Sequence, residues 1–194
     1  MYQVTCKIKG IVSMMQDRYD MPTDGPGSKK AKDFWKTQLP KKAYIDKKGM
    51  YIPTDNIRMM LIGNKLRTGA ALILGSQIET KKGSAYLNFC KACVWVVGIE
   101  DDNKVYLKPN RKTFDDYDER TFLNGAKPPT RSITRRPIAK TPWTLEFIIQ
   151  VTDDGFDQSK IRELFEVAGM RCGIGAYGPT FGRFVVDKWE VSAK

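Results

Sequence analysis

Three stretches of the chain alternate apolar and polar residues with a period of two, and two others repeat apolar residues at helical spacing. In 1–12, Val4, Cys6 and Ile8 fall on one face and Thr5, Lys7 and Lys9 on the other, as in a half-buried strand. Residues 144–151 (TLEFIIQV) and the run Phe184, Val186, Trp189, Val191 show the same alternation, and 93–99 is a short, nearly continuous apolar run. Ile57, Met60, Leu61 and Leu66 mark the buried side of a helix that follows Pro53-Thr54-Asp55-Asn56, with Thr54 or Asp55 as its N-cap. Ile161, Leu164, Phe165 and Ala168 mark a second helix, capped by Asp157 or Ser159.

The resulting order is strand (2–12), helix (54–66), strand (93–99), strand (143–151), helix (158–168), strand (181–191). This β-α-β-β-α-β sequence predicts an α+β, ferredoxin-like/RRM-like core in a single domain spanning 1–194. Large insertions follow the first strand (about 13–53) and separate the two middle strands (about 108–142). Within the first insertion, Met14, Met15, Tyr19 and Met21 are unusually apolar for a loop, 29–38 reads as a short helix, and Tyr44-Ile45 and Tyr51-Ile52 flank a Lys47-Lys48-Gly49 turn. Residues 69–80 suit either a buried helix end or a strand. Residues 108–142 carry little core pattern, with an acidic piece (Asp115, Asp116, Asp118, Glu119) and a basic one (Arg131, Arg135, Arg136, Lys140).

The second helix breaks at Gly169 into a loop with glycines at Gly173, Gly175, Gly178 and Gly182 before the last strand. So many glycines exceed a simple helix cap and predict that something lies close against this backbone. A structural packing of helix on sheet is the alternative. The order is helix to strand, the reverse of a dinucleotide-binding loop. A C-terminal helix ending in a G-x-G loop and an aromatic strand resembles the RAMP superfamily, the ferredoxin-like proteins that include guide-RNA-binding backbone subunits of CRISPR effector complexes. The strings Tyr51-Ile52-Pro53, Asn56-Ile57 and Gly173 to Phe184 also resemble a group of uncharacterised phage proteins. The resemblance implies similarly placed insertions, in which a protruding hairpin from the middle contacts a bound strand and the next protomer, with the basic segment Arg131 to Lys140 as that element here.

Charge sharpens this picture. The 194 residues hold 33 Lys and Arg against 22 Asp and Glu and no His, a formal charge of +11. A polyanionic partner follows, nucleic acid before membrane. Residues 29–67 alone hold eleven Lys and Arg against three Asp. Basic residues interleaved with Trp35, Tyr44 and Tyr51 are what a single-strand binder needs, because cations neutralise phosphates and ring faces stack on bases. The expected phosphate contacts are Lys29, Lys30, Lys41, Lys42, Lys47, Lys48, Arg58, Lys65 and Arg67, joined by Arg131, Arg135 and Arg136. Arg171 and Arg183 flank the loop, Gly173, Gly175 and Gly178 let the strand approach it, and Trp35 and Tyr177 stack on bases.

Other chemistries are disfavoured. Without histidine there is no Ser-His or Cys-His dyad, and the single C-x-x-C (Cys90, Cys93) lacks partners for a usual zinc set. No metal, no cofactor and no catalytic residue is expected, and the acidic clusters fall in turns. The chain contains no run of about eighteen apolar residues and starts with a strand pattern, so a cytoplasmic protein is expected, in the host cell if viral. The leading expectation is a non-enzymatic, sequence-independent single-stranded DNA- or RNA-binding protein that forms homo-oligomers along the strand, serving phage DNA replication or recombination. The alternatives are a CRISPR-related backbone-like protein that binds guide RNA or interferes with a host CRISPR complex, and a metal-dependent nuclease.

Overall fold

The computed structural model describes residues 1–18, 34–65, 67–78, 83–123, 131–153 and 157–193, with Gly125, Pro128 and Gly155. Its centre is a four-stranded antiparallel sheet built from β1 (Tyr2–Gly10), β6 (Val94–Gly98), β10 (Thr144–Val151) and β11 (Phe184–Ala193), in the order β11-β1-β10-β6. β10 separates β1 from β6, which is the split arrangement of a ferredoxin-like core. The alternation read from the sequence sets the register. Val4, Cys6 and Ile8 of β1 and Leu145, Phe147, Ile149 and Val151 of β10 are all buried on one face. β11 has a bulge opposite Lys7 and Ile8, beside which Asp187 pairs with Lys7 at 3.4 Å.

Helices cover the buried face: α2 (Thr54–Ile62), α3 (Ala70–Ile78), α4 (Gly83–Cys93) and α5 (Gln158–Val167). α5 turns Ile161, Leu164 and Phe165 inward, and the Phe165 ring lies 5.8 Å from Phe147 and 5.9 Å from Trp189. Asp157 caps this helix as expected, accepting the Ser159 amide. The expected cap of α2 is not formed. Pro53 occupies the cap position and Thr54 is already helical, so no side chain closes that end. The ambiguous 69–80 segment is the helix α3 through Ile78, and 83–93 is a further helix that the apolar run of 93–99 obscured. Cys90, on the last turns of α4, and Cys6, on β1, are core residues whose thiols burial pushes up to about 12.

The first insertion supplies β2 (Met14–Met15), the short helix α1 (Phe34–Gln38), a 3-10 turn (Pro40–Lys42) and β3 (Tyr51–Pro53). The part of the expected 29–38 helix before Phe34 lies outside the described residues. After α2, β4 (Gly63–Asn64) and β5 (Arg67–Thr68) form a two-residue ribbon, and β7 (Lys104–Tyr106) pairs with β3. The middle insertion, patternless in hydrophobicity, contains the hairpin that the family resemblance implied, β8 (Asp116–Leu123) and β9 (Arg131–Ala139), to which β2 adds a third strand. Its acidic and basic pieces are the two strands. Asp118 lies opposite Arg136 and Glu119 opposite Arg135, so cross-strand charge replaces the apolar alternation that would have revealed a strand.

The glycines after α5 are used within the fold. A π-turn (Ala168–Cys172) ends with the Gly173 amide on the Ala168 carbonyl at 2.8 Å. The loop then folds across itself, with the Ile174 amide on the Gly182 carbonyl at 2.9 Å and Gly182 at φ 73°. A Cβ on Gly182 would collide with the Ile174 carbonyl. Gly182→Ala is therefore expected to cost about 2 kcal/mol in urea denaturation, combining a disfavoured φ with that collision. Gly125→Ala, with nothing near its Cβ, is expected to stay within about 0.5 kcal/mol of the parent.

Candidate nucleic-acid interface

The loop is fixed before it presents any side chain. The Arg67 guanidinium donates to the carbonyls of Cys172, Gly173 (2.5 Å) and Gly175 (3.1 Å), and Cys172 reaches back to the Thr68 carbonyl. On its other side the Ala176 amide donates to Met15 at 2.8 Å and the Gly182 amide to Ser13 at 2.9 Å. The loop is thus clamped between β5 and β2, and Tyr177 projects from it at φ 55°, an uncommon backbone for a non-glycine residue.

Tyr177 is exposed, and two guanidinium groups of the hairpin stand close to its ring. Arg120 is 4.6 Å and Arg136 4.8 Å from its ring centroid, and Arg120 also lies over Phe181. Carboxylates orient both arginines. Asp118 accepts from Arg120 at 2.6 Å, and Asp17 accepts from Arg136 at 2.5 Å while Lys42 stands 3.8 Å away. The result is an amphipathic platform of one ring and several cations, suited to stacking a base and holding its phosphate.

Arg135, the next residue in β9, points to the opposite face of the hairpin. It stacks on Trp35 at 4.2 Å, with Tyr117 5.3 Å beyond and Glu119 as its ion-pair partner. Trp35 and Tyr177, grouped together by the sequence, are therefore on opposite sides of one hairpin.

A third cluster lies on the β3–β7 ribbon. Tyr44, Tyr51 and Tyr106 follow one another at centroid distances of 5.7 and 5.9 Å. Lys48 stands over Tyr106 and Lys104 over Tyr51. Asp46 organises them, accepting from Lys104 (2.9 Å), the Tyr106 hydroxyl (3.0 Å) and the Lys48 and Gly49 amides. The Lys104 hydrogen bond, helped by the others, holds its carboxyl down at about 2. Gln16, buried, joins the ribbon to β2, donating to the Tyr51 carbonyl and accepting the Tyr44 amide.

The remaining expected contacts are distributed unevenly. Lys41 and Lys42 are on the 3-10 turn beside the platform, and Lys47 and Lys48 are exposed at the ribbon turn. Arg58 is elsewhere: it donates to the carbonyls of Lys91 and Val94 and covers Trp95, tying α4 to β6. Lys65 is exposed in the β4–β5 turn, Arg171 on the π-turn and Arg131 at the outer end of β9. Arg183 gives its carbonyl to Ile11 and Val12, while its Nε is buried. Gly173, Gly175 and Gly178 pack against the chain's own carbonyls, respectively of Phe181, Met15 and Cys172. Lys29 and Lys30 lie outside the described residues. Arg120, Tyr106, Lys104 and Phe181 were not singled out in the sequence; only their place beside the middle turns, in the insertion and in the loop could have suggested them.

Among the described residues, no group of three His, Cys, Asp or Glu side chains gathers as a metal site, and no helix is long and apolar enough to cross a membrane.

No protein-family model and no curated protein matches the chain. Its fold is similar to a chain in the cryo-EM structure of the Type III-B Cmr-beta bound to cognate target RNA, with a TM-score of 0.51 and 18% identity. The match covers 98% of this chain and 60% of that one, so the present chain spans about three fifths of its neighbour's length. At this identity the likeness is one of fold, and it agrees with the α+β, ferredoxin-like architecture expected from the sequence.

Asp46 makes the tyrosine ribbon acid-sensitive. With its carboxyl at about 2 when folded, against about 3.9 unfolded, its contribution is complete above about pH 4 and disappears as pH falls through about 2. Melting temperatures at pH 7, 4 and 2.5 should show Asp46→Asn lowering stability at pH 7, with most of the gap to the parent still present at pH 4 and a much smaller gap at pH 2.5.

Proposed function

We propose that this chain is a non-enzymatic protein that binds single-stranded nucleic acid, with the strand running from the Tyr177 platform to the tyrosine ribbon. The observation that carries this reading is Tyr177 itself, an exposed ring held at positive φ by a clamped loop and flanked by two oriented guanidiniums. An aromatic face with adjacent cations serves any base and any phosphate, so binding is largely independent of sequence. The formal charge of +11 adds a long-range attraction that weakens with salt. RNA is the first ligand to test, because the fold neighbour comes from an RNA-bound assembly. Stacking and phosphate contacts alone do not read the 2′-hydroxyl, so single-stranded DNA is the necessary comparison.

In this reading the protein also self-associates along the strand, with the projecting β8–β9 hairpin as the contact between copies, and coating of phage DNA is one use of such a filament. A second reading rests on the same fold neighbour: a CRISPR-related, backbone-like protein that engages guide RNA or a host complex.

Fluorescence anisotropy with labelled single-stranded RNA, single-stranded DNA and duplex DNA across a salt series separates these readings. The parent is expected to bind a single strand in preference to duplex. Arg136→Ala/Tyr177→Asn, which keeps a residue tolerant of positive φ, should bind about tenfold more weakly, within the range known for losing a stacked base. Its slope against log salt should also fall by about 0.7 for the lost phosphate contact. Parent-like affinity in this variant would remove the platform from the account, and failure of the parent to bind any nucleic acid would favour a protein partner.

A further inference from the structure

Between the Tyr177 platform and the tyrosine ribbon is a cleft of about 260 Å³. We infer that it receives one base of the bound strand, turned out of the stack, and that Asn56 reads the edge of that base. This rests on the single-strand reading above and adds base preference to it.

The position of the cleft is the first argument. It shares Ala176 with the loop that carries Tyr177, Asp17 with the Arg136 ion pair, and Tyr44 with the ribbon. A strand following the two stacking surfaces therefore crosses its mouth. Its size is the second. It falls just under the roughly 300–1,000 Å³ of sites that enclose drug-sized ligands, which suits one planar ring system. Its lining is the third. Ile52 and Met60 are buried and Met59 half-buried, giving an apolar floor in which thioethers adapt to a ring face.

The polar groups on the wall differ in what they have left to offer. The Gln16 amide is committed to Tyr51 and Tyr44, and the Arg67 guanidinium to the loop carbonyls. Asp17 is committed to Arg136 and Lys42. Asn56, on the first turn of α2, has a side-chain amide with no hydrogen-bond partner among the described residues. One donor and one acceptor in a fixed plane is the pair that matches the N6 and N7 edge of adenine, and a purine also covers more of the apolar floor than the smaller ring of uracil, whose amide-matching pair is N3–H and O4.

The test measures the affinity of the full chain for 20-nucleotide oligo(A) and oligo(U), parent against Asn56→Leu and Asn56→Asp, with folding of each checked by thermal melting. The parent is expected to prefer oligo(A) about tenfold. Asn56→Leu fills the cleft and should abolish that preference while leaving oligo(U) affinity and the salt slope unchanged. Asn56→Asp, nearly the same size but without the donor, should also lose it, which guards against a folding defect in the leucine variant. Equal binding of the two oligomers by the parent, or a preference that survives both substitutions, overturns the inference and leaves single-strand binding standing. No binding to either oligomer overturns both.

Discussion

The guanidinium of Arg67, donating to the carbonyls of Cys172, Gly173 and Gly175, is the interaction on which the proposed surface depends. A loop of glycines has more backbone freedom to lose than any other sequence, and here one side chain satisfies three of its carbonyls at once. Burial pulls the Arg67 guanidinium below its ordinary value, a bias it resists through these acceptors, since an arginine in a protein keeps its proton. The consequence is geometric. With its carbonyls turned towards Arg67, the loop turns the Ala176 amide to Met15, and Met14–Met15 in turn pairs with β9. The helical layer, the loop and the projecting hairpin are joined through a few hydrogen bonds, and Tyr177 meets Arg120 and Arg136 because of them.

The ferredoxin-like core was legible because its strands obey a simple rule. Each buries one face, so Val4, Cys6, Ile8 and Leu145, Phe147, Ile149 mark themselves by alternation. Where both sides of a strand meet water or charge, that mark is missing, so the pattern of β8 and β9 shows only a long insertion and the hairpin follows from the family resemblance alone. Their register is set by Asp118 with Arg136 and Glu119 with Arg135, pairs that are visible only once the strands are aligned. The helix α4 was hidden for the opposite reason, since its apolar end runs straight into the apolar β6 without a break. Pro53 starts α2 without a side-chain cap, so the Thr54 and Asp55 signals misled by position while the helix itself was correctly placed.

Counting cations located a basic region but not its geometry. Arg58 and Arg67 belong to the same basic stretch as Lys47 and Lys48, yet both are spent on backbone carbonyls inside the fold. Arg135 and Arg136 are neighbours in sequence and face opposite ways because a strand alternates. The glycines illustrate a related limit. Their number correctly signalled a close approach, but the groups that approach Gly173, Gly175 and Gly178 are carbonyls of this chain. What the loop offers outward is a side chain, Tyr177, in a conformation that the surrounding hydrogen bonds impose.

The most direct measurement of the central claim is ultraviolet cross-linking of a single-stranded RNA to the intact protein, with the modified peptides identified by mass spectrometry. The account predicts cross-links at Tyr177 and along Tyr44, Tyr51 and Tyr106. Cross-links confined to Trp95 and the open face of the four-stranded sheet, with none at Tyr177, would contradict it.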